Sequence, residues 1–183
     1  MAAILDRLGI RYAIGGSVAS SLISEPRSTV DIDIAVQMTE ADVDPLISAV
    51  TPTFYVPEAA AREAALTQGT FNLIHQEAAL KVDVFVLGTG LLDIRQIERR
   101  VLMNIVAQPP TLLWITSPED QILRKLDWFH TGGSVSERQW SDVVGIIRIN
   151  DDSLDHEYLT GTAEILELDN LLRLARTQAR KKK

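Results

Sequence analysis

Apolar and polar positions change their period along the chain, and each change marks an element. Ile4, Leu5 and Leu8 share one face of a short helix over residues 2–9. Arg11–Gly15 reads as a strand, Ser17–Ile23 as a helix with Val18 and Leu22 one turn apart, and Asp31–Val36 as a second strand; Pro26 breaks the helix in the loop between them. Thr39–Val50 reads as a helix, capped by Thr39 and Asp42 and striped by Val43, Leu46 and Ile47. Phe54 and Tyr55 suggest a short strand, and the alanine-rich Pro57–Leu66 a helix. Thr70–His75 and Leu80–Leu87 predict two strands of a hairpin. A short helix over Leu92–Arg99 and strands over Arg100–Val106 and Thr111–Ile115 complete this half.

After Ser117 the pattern is helical throughout. Ser117-Pro-Glu-Asp120 is a helix start, with a capping serine, proline at the first position and acids in the first turn. Ile122, Leu126 and Phe129 form its inner stripe, and Gly132-Gly133 ends it. Ser136-Glu-Arg-Gln139 resembles a second capping box, and Trp140, Val143, Val144 and Ile147 repeat at i, i+3, i+4, i+7. Asp155–Ile165 and Asn170–Thr177 predict two last helices. The change of period predicts a core over residues 1–116 and a helical C-terminal subdomain over 117–183, packed on the core. Trp114, Trp128 and Trp140 read as packing between the two.

The second predicted strand carries charge in a definite arrangement. Residues two apart on a strand point to one face, so Asp31 and Asp33 share a face and Ile32 and Ile34 the other. The two carboxylates start from Cα atoms about 7 Å apart along the strand. They repel unless a cation sits between them, and a divalent metal with oxygen ligands, magnesium above all, meets that need. Just upstream, Gly15 and Gly16 allow a sharp turn and a close backbone approach to a ligand. Ser17 is a good N-cap, and the N–H groups at that helix start form an anion site. A phosphate at the turn and a metal on the carboxylates would complement each other.

The order Gly15-Gly16-Ser17, thirteen residues, Asp31-Ile32-Asp33 resembles the signature of the DNA-polymerase-beta-like nucleotidyltransferase superfamily. Glu25-Pro-Arg-Ser-Thr29 resembles the arginine-and-threonine loop of its small bacterial members. The resemblance implies an α+β fold, a minimal nucleotidyltransferase core with a mixed β-sheet flanked by helices and a C-terminal helical extension. It implies a third carboxylate on a neighbouring strand, and Lys81-Val-Asp-Val-Phe-Val86 nominates Asp83. In that family's reaction a hydroxyl attacks the α-phosphorus of a nucleoside triphosphate and pyrophosphate leaves. Asp31, Asp33 and Asp83 would be the catalytic and metal-binding residues, holding two magnesium ions, with manganese as an alternative. Gly15, Gly16 and Ser17 would bind the phosphates. Arg27 would meet a phosphate or brace its loop by a salt bridge. Thr29 reads as a hydrogen bond within that loop, and Lys81 as a solvated lysine or a phosphate ligand.

Leu123-Arg-Lys-Leu126 with Arg138 and Asp142 resembles the later motifs of abortive-infection-type toxin nucleotidyltransferases. There the lysine is associated with the nucleotide and the aspartate with activity, which nominates Lys125. The residues by themselves read as a surface i, i+4 pair of Arg138 and Asp142, worth a few tenths of a kcal/mol. This branch implies a toxin of a toxin–antitoxin pair, with an antitoxin protein as partner.

Composition narrows the choices. The 183 residues are 46% apolar, enough for one domain or a core with a small extension. There is no cysteine, which excludes disulfides, thiol nucleophiles and thiolate metal sites and suits the cytoplasm. No run is long enough for a membrane span, and no signal-peptide pattern is present. The net charge of −7 argues against extensive phosphate-backbone contact, though a local basic groove is compatible with it. The basic end, Arg180-Lys-Lys-Lys183, reads as a disordered solubilising tail. His75, His130 and His156 lack metal-ligand spacing.

The leading expectation is therefore a magnesium-dependent nucleotidyltransferase. It would move a nucleoside monophosphate to a hydroxyl of a tRNA, a protein or a small molecule. The rival is a non-catalytic nucleotidyltransferase-like protein that binds a nucleotide or a partner and regulates. A phosphohydrolase, releasing inorganic phosphate, is a third.

Overall fold

A computed structural model describes residues 1–181 apart from Arg27, Val30 and Ala79. The chain forms two compact units, Met1–Val18 with Ser28–Thr116 and Ala19–Arg27 with Ser117–Lys183. No helix among the described residues is long and apolar enough to cross a membrane.

The first unit is built on a mixed seven-stranded sheet. Its strands are β1 (Arg11–Ile14), β2 (Asp31–Gln37), β3 (Phe54–Tyr55), β4 (Thr70–His75), β5 (Lys81–Val86), β6 (Val101–Val106) and β7 (Thr111–Ile115), in the order β3-β4-β5-β2-β1-β7-β6. β2 runs parallel to β5 and antiparallel to β1; β4 is antiparallel to β5. The helices of this unit are α1 (Ala2–Leu8), α3 (Glu40–Val50), α4 (Glu58–Thr67) and α5 (Leu91–Glu98), together with the start of α2 (Gly16–Ile23).

Strand alternation sorts the sheet into two chemically different faces. Tyr12, Ile14, Ile34, Val36, Phe71, Leu73, Val82, Val84 and Val86 are all buried on one face. They form one core with Leu5 of α1, Val43, Leu46, Ile47 and Val50 of α3, and Ala61 and Ala64 of α4. Burial of this apolar surface is the main driving force for the unit. The alanines of α4 let that helix lie close to the sheet. At the start of α3, the Thr39 N–H and hydroxyl both donate to Asp42 Oδ2, at 2.7 and 2.9 Å, as the capping signature predicts. The opposite sheet face carries Asp31, Asp33, Lys81 and Asp83.

The second unit is helical: the end of α2, then α6 (Pro118–Thr131), α7 (Glu137–Asn150), α8 (His156–Ile165) and α9 (Asp169–Lys181), with a 3-10 turn at Asp151–Ser153. Ile122, Leu123, Leu126, Val143, Ile146, Ile147, Leu159 and Leu172 are its buried stripes. The Asn150 amide donates to the Ile23 carbonyl at 2.7 Å, and Gln121 Nε2 to Ser20 Oγ at 3.1 Å. Trp140 packs on Phe129 at 5.2 Å and donates to Gln178 at 2.7 Å. In the first unit Arg100 stacks over Trp114 at 4.5 Å. Each of these tryptophan contacts stays within its own unit.

Two sequence expectations change. α9 continues to Lys181, so Arg180 and Lys181 are helical where a disordered basic end was expected. The buried face of Leu172, Ala175 and Ala179 carries the helix through them. Lys182 and Lys183 lie outside the described residues. α2 begins at Gly16, which puts Ser17 in the first turn instead of at the cap.

The face assignment has a direct test in neighbouring residues. Leu73 is fully buried and Ile74 is 45% exposed. Leu73→Ala is expected to destabilise by about 2–5 kcal/mol. Ile74→Ala is expected to cost less than about 1 kcal/mol, both read by urea denaturation.

Candidate active site

The first unit brings four charged, half-buried residues onto one sheet face. In the parallel pair of β2 and β5, Asp31 stands opposite Lys81 and Asp33 opposite Asp83. Neighbouring strands lie about 4.8 Å apart, so Asp33 and Asp83 are a close cross-strand pair of like charge. Such a pair is unfavourable unless a cation answers it. One does: Lys81 Nζ lies 2.9 Å from Asp83 Oδ1. The hydrogen bond to Asp83 holds the Lys81 pKa above its ordinary value; burial opposes this, and the charges of Asp83, Asp31 and Asp33 add to the rise. The Lys81 side chain is thus solvent-exposed, as expected, and also paired with an aspartate. Among the described residues of β2 and β5, three carboxylates stand on this face with one ammonium.

The glycine turn meets the same face. The Gly15 N–H donates to the Asp33 carbonyl at 2.9 Å, tying the turn to β2. Gly16 has φ +56°, a conformation that glycine adopts without strain. A Cβ built on Gly16 would lie 1.7 Å from Asp33 Oδ2 and 2.5 Å from its Cγ. The Asp33 carboxylate therefore occupies the space that any other residue at position 16 would fill. It sits at the positive end of α2, where a negative charge is favoured. Ser17 follows in the first turn, 9% exposed. The Thr29 hydroxyl donates to the Asp31 carbonyl at 3.2 Å, the loop-bracing role expected of it. Arg27, the expected phosphate contact of this loop, lies outside the described residues.

The three carboxylates of this face offer oxygen donors, the donor set of magnesium. Among the described residues no three histidine, cysteine or acidic side chains form a ready-made metal cluster. Magnesium is commonly held by one or two carboxylates together with substrate phosphates, and does not require a closed protein cage. The residues present fit that mode.

Lys125 belongs to the second unit, on α6. Its Nζ donates to Asp142 Oδ2 at 2.7 Å and to Gln139 Oε1 at 3.0 Å. The two charged side chains are 3% and 9% exposed. Asp142 therefore turns inward, where the sequence pattern alone reads it as a surface residue. Helical angle alone missed this because α6 supplies a buried cation that draws the carboxylate in. The same unit buries Asp120, which accepts from Ser117 Oγ at 2.9 Å and Tyr158 OH at 2.5 Å. His156 bonds the Asp151 carbonyl at 2.8 Å and has no part in a metal cluster among the described residues.

Two outcomes follow from these contacts. Gly16→Ala is expected to destabilise by more than Gly9→Ala, which has φ +70° but no atom within 4 Å of its added Cβ. The Gly9 change carries backbone strain alone, about 1–2 kcal/mol. The excess at Gly16 should shrink in an Asp33→Ala background, read as a double-mutant cycle by urea denaturation. Lys125→Met, which leaves Asp142 buried without its cation, is expected to cost about 3–5 kcal/mol in the same assay.

No protein-family model matches the chain, and no curated protein matches it significantly. Solved structures do. The crystal structure of an antigenic nucleotidyltransferase-like protein from Paracoccidioides brasiliensis aligns with a TM-score of 0.56 at 19% identity, covering 97% of this chain and 88% of that one. The solution structure of the antibiotic-resistance factor ANT(2'')-Ia aligns with a TM-score of 0.52 at 20% identity, covering 98% of this chain and 90% of that one. At these identities the likeness concerns the fold: a mixed seven-stranded sheet flanked by helices, the fold of nucleotidyltransferase-like proteins.

Proposed function

We propose that the chain belongs to the nucleotidyltransferase superfamily and transfers a nucleoside monophosphate from a nucleoside triphosphate to a hydroxyl group. The observation that carries this reading is the contact of Asp33 with Gly16. It sets a helix start, suited to phosphate oxygens, directly against a carboxylate whose strand partner is a second carboxylate. Phosphate binding and cation binding are then adjacent by construction.

Gly15, Gly16 and Ser17 would hold the β- and γ-phosphate oxygens through backbone N–H groups and the Ser17 hydroxyl. Asp31 and Asp33 would hold a magnesium ion shared with the triphosphate, and Asp83 a second; manganese is the alternative. The metal bound there supplies neutralisation of phosphate charge. In the reaction the acceptor oxygen bonds to the α-phosphorus and the bond from that phosphorus to the bridging oxygen breaks. Pyrophosphate leaves, and the acceptor proton passes to Asp83 or to water. Lys81 brings a positive charge beside Asp83. Arg27 would meet a phosphate. For Lys125 the resemblance supports a nucleotide contact and the buried pair with Asp142 a structural role.

The acceptor would be a hydroxyl of a tRNA, a protein or a small molecule. A finer reading, supported by the resemblance around Lys125, makes the chain a toxin restrained by an antitoxin protein. Growth arrest on expression, relieved by Asp33→Ala, is the outcome that reading requires. A non-catalytic nucleotide binder is favoured by one observation, the engagement of Asp83 by Lys81.

Calorimetry of each nucleoside triphosphate, with and without magnesium, tests the proposal. Magnesium-dependent binding by the wild type and its loss in Asp31→Ala/Asp33→Ala are expected, with pyrophosphate released when an acceptor is present. Binding without pyrophosphate release in any acceptor screen would favour the non-catalytic reading, and release of inorganic phosphate a phosphohydrolase. No triphosphate binding at all would overturn the proposal.

A further inference from the structure

The net charge of −7 conceals a basic face on α9. This helix carries Arg173, Arg176, Arg180 and Lys181 against a single acid, Asp169. Leu172, Ala175 and Ala179 are its buried side. Arg173, Arg176 and Arg180 recur at i, i+3, i+7 and so share one face, spanning about 10 Å of helix axis at 1.5 Å per residue. Together with the hydroxyls of Thr160 and Thr177 and the amide of Asn170 they line a cavity of about 530 Å³, with Asp169 its one carboxylate.

Two of the three guanidiniums are held by neutral partners. Arg176 donates to Thr160 Oγ1 at 3.1 Å and lies 3.3 Å from His156 Nδ1, which fixes it between α8 and α9. Its Nε is buried without a hydrogen-bond partner. Burial first, and then the nearby charge of Arg180, lower the Arg176 pKa from its ordinary value; Asp151 opposes them. Arg173 donates to Asn170 Oδ1 at 2.9 Å. Among the described residues no carboxylate forms an ion pair with Arg173, Arg176 or Arg180. Like charges gathered at a cavity with no ion pair of their own are relieved by an anion. A row of guanidiniums fits phosphate groups better than a single carboxylate, because each fork takes two oxygens.

We propose that this cavity binds adjacent phosphate groups, those of a nucleic-acid strand or of a free oligophosphate. The lining contains no aromatic ring on which a base could stack. Recognition is therefore by charge, without base preference and with a steep salt dependence. The proposal stands apart from the carboxylate site of the first unit and does not need it.

The test is fluorescence anisotropy of a labelled single-stranded RNA of about twelve nucleotides, in EDTA, over a range of salt. The wild type is compared with Arg173→Gln/Arg180→Gln. Both residues are exposed, and Arg176, which ties two helices, is left in place. The variant is expected to bind at least about tenfold more weakly, with a salt slope smaller by about 1–2. Circular dichroism and the urea midpoint confirm that the variant is folded. Displacement of the RNA by tripolyphosphate at equal phosphate concentration would make a free oligophosphate the ligand; displacement only by longer strands would make it a nucleic acid. Absence of binding by both probes, or equal binding by wild type and variant, would overturn the proposal.

Discussion

The contact on which the first unit depends is the one between a missing side chain and a carboxylate. Gly16 has no Cβ, and Asp33 fills the space. The contact fastens the turn after β1 to β2, and the bond from the Gly15 N–H to the Asp33 carbonyl repeats that fastening in the backbone. Since Asp33 is in register with Asp83, whatever holds Asp33 also sets where the third carboxylate stands relative to the helix start. One close approach thus positions a helix N-terminus and two strands together. A longer side chain at position 16 would push the Asp33 carboxylate away from the start of α2.

The acidic face is tolerable only because its reverse is not acidic. β2 and β5 present isoleucine and valine to the core, while Asp31, Asp33, Lys81 and Asp83 lie on the other face. A register slip of one residue would exchange the faces, burying aspartates and exposing Val82, Val84 and Val86. The core behind the sheet therefore holds the carboxylates where they are, against their own repulsion. Lys81 relieves part of that repulsion from within the same strand.

The local periods of the sequence carry nearly all the elements. Alternation marks β2 and β5, Thr39 and Asp42 mark the start of α3, and Ser117-Pro118 marks α6, because each depends on residues close in sequence. The shared face of Asp31 and Asp33 was legible for the same reason. The pairing of Asp33 with Asp83 is not contained in either strand: it depends on β5 lying parallel beside β2, a long-range choice that only the family resemblance anticipated. The same holds for Lys81, whose partner is local but whose setting among three carboxylates is not. The helical angle of Asp142 opposes the Trp140 stripe and so predicts an outward side chain, but its direction is set by Lys125 on another helix. The basic run Arg180–Lys183 reads as a solvated tail, whereas the alanines of α9 pack as far as Ala179.

The inward turn of Asp142 has its physical basis in the polar interior of the second unit. Apolar stripes at i, i+3, i+4, i+7 can slide past one another by a turn with little loss. Buried polar groups cannot, since a displaced partner leaves an unanswered charge or hydrogen bond. Lys125 with Asp142 and Gln139 fixes α6 against α7. Tyr158 on Asp120, and the Asp155 N–H on Glu119 at 2.9 Å, fix α8 against α6. Arg176 on Thr160 fixes α9 against α8. These pairs contribute less to net stability than the surrounding leucines and isoleucines, because each must first be desolvated. Their effect is on choice: they select one helix register among several of similar apolar burial. The basic face of α9 depends on that selection, because the Arg176 side chain is oriented by its hydroxyl partner before any anion is present.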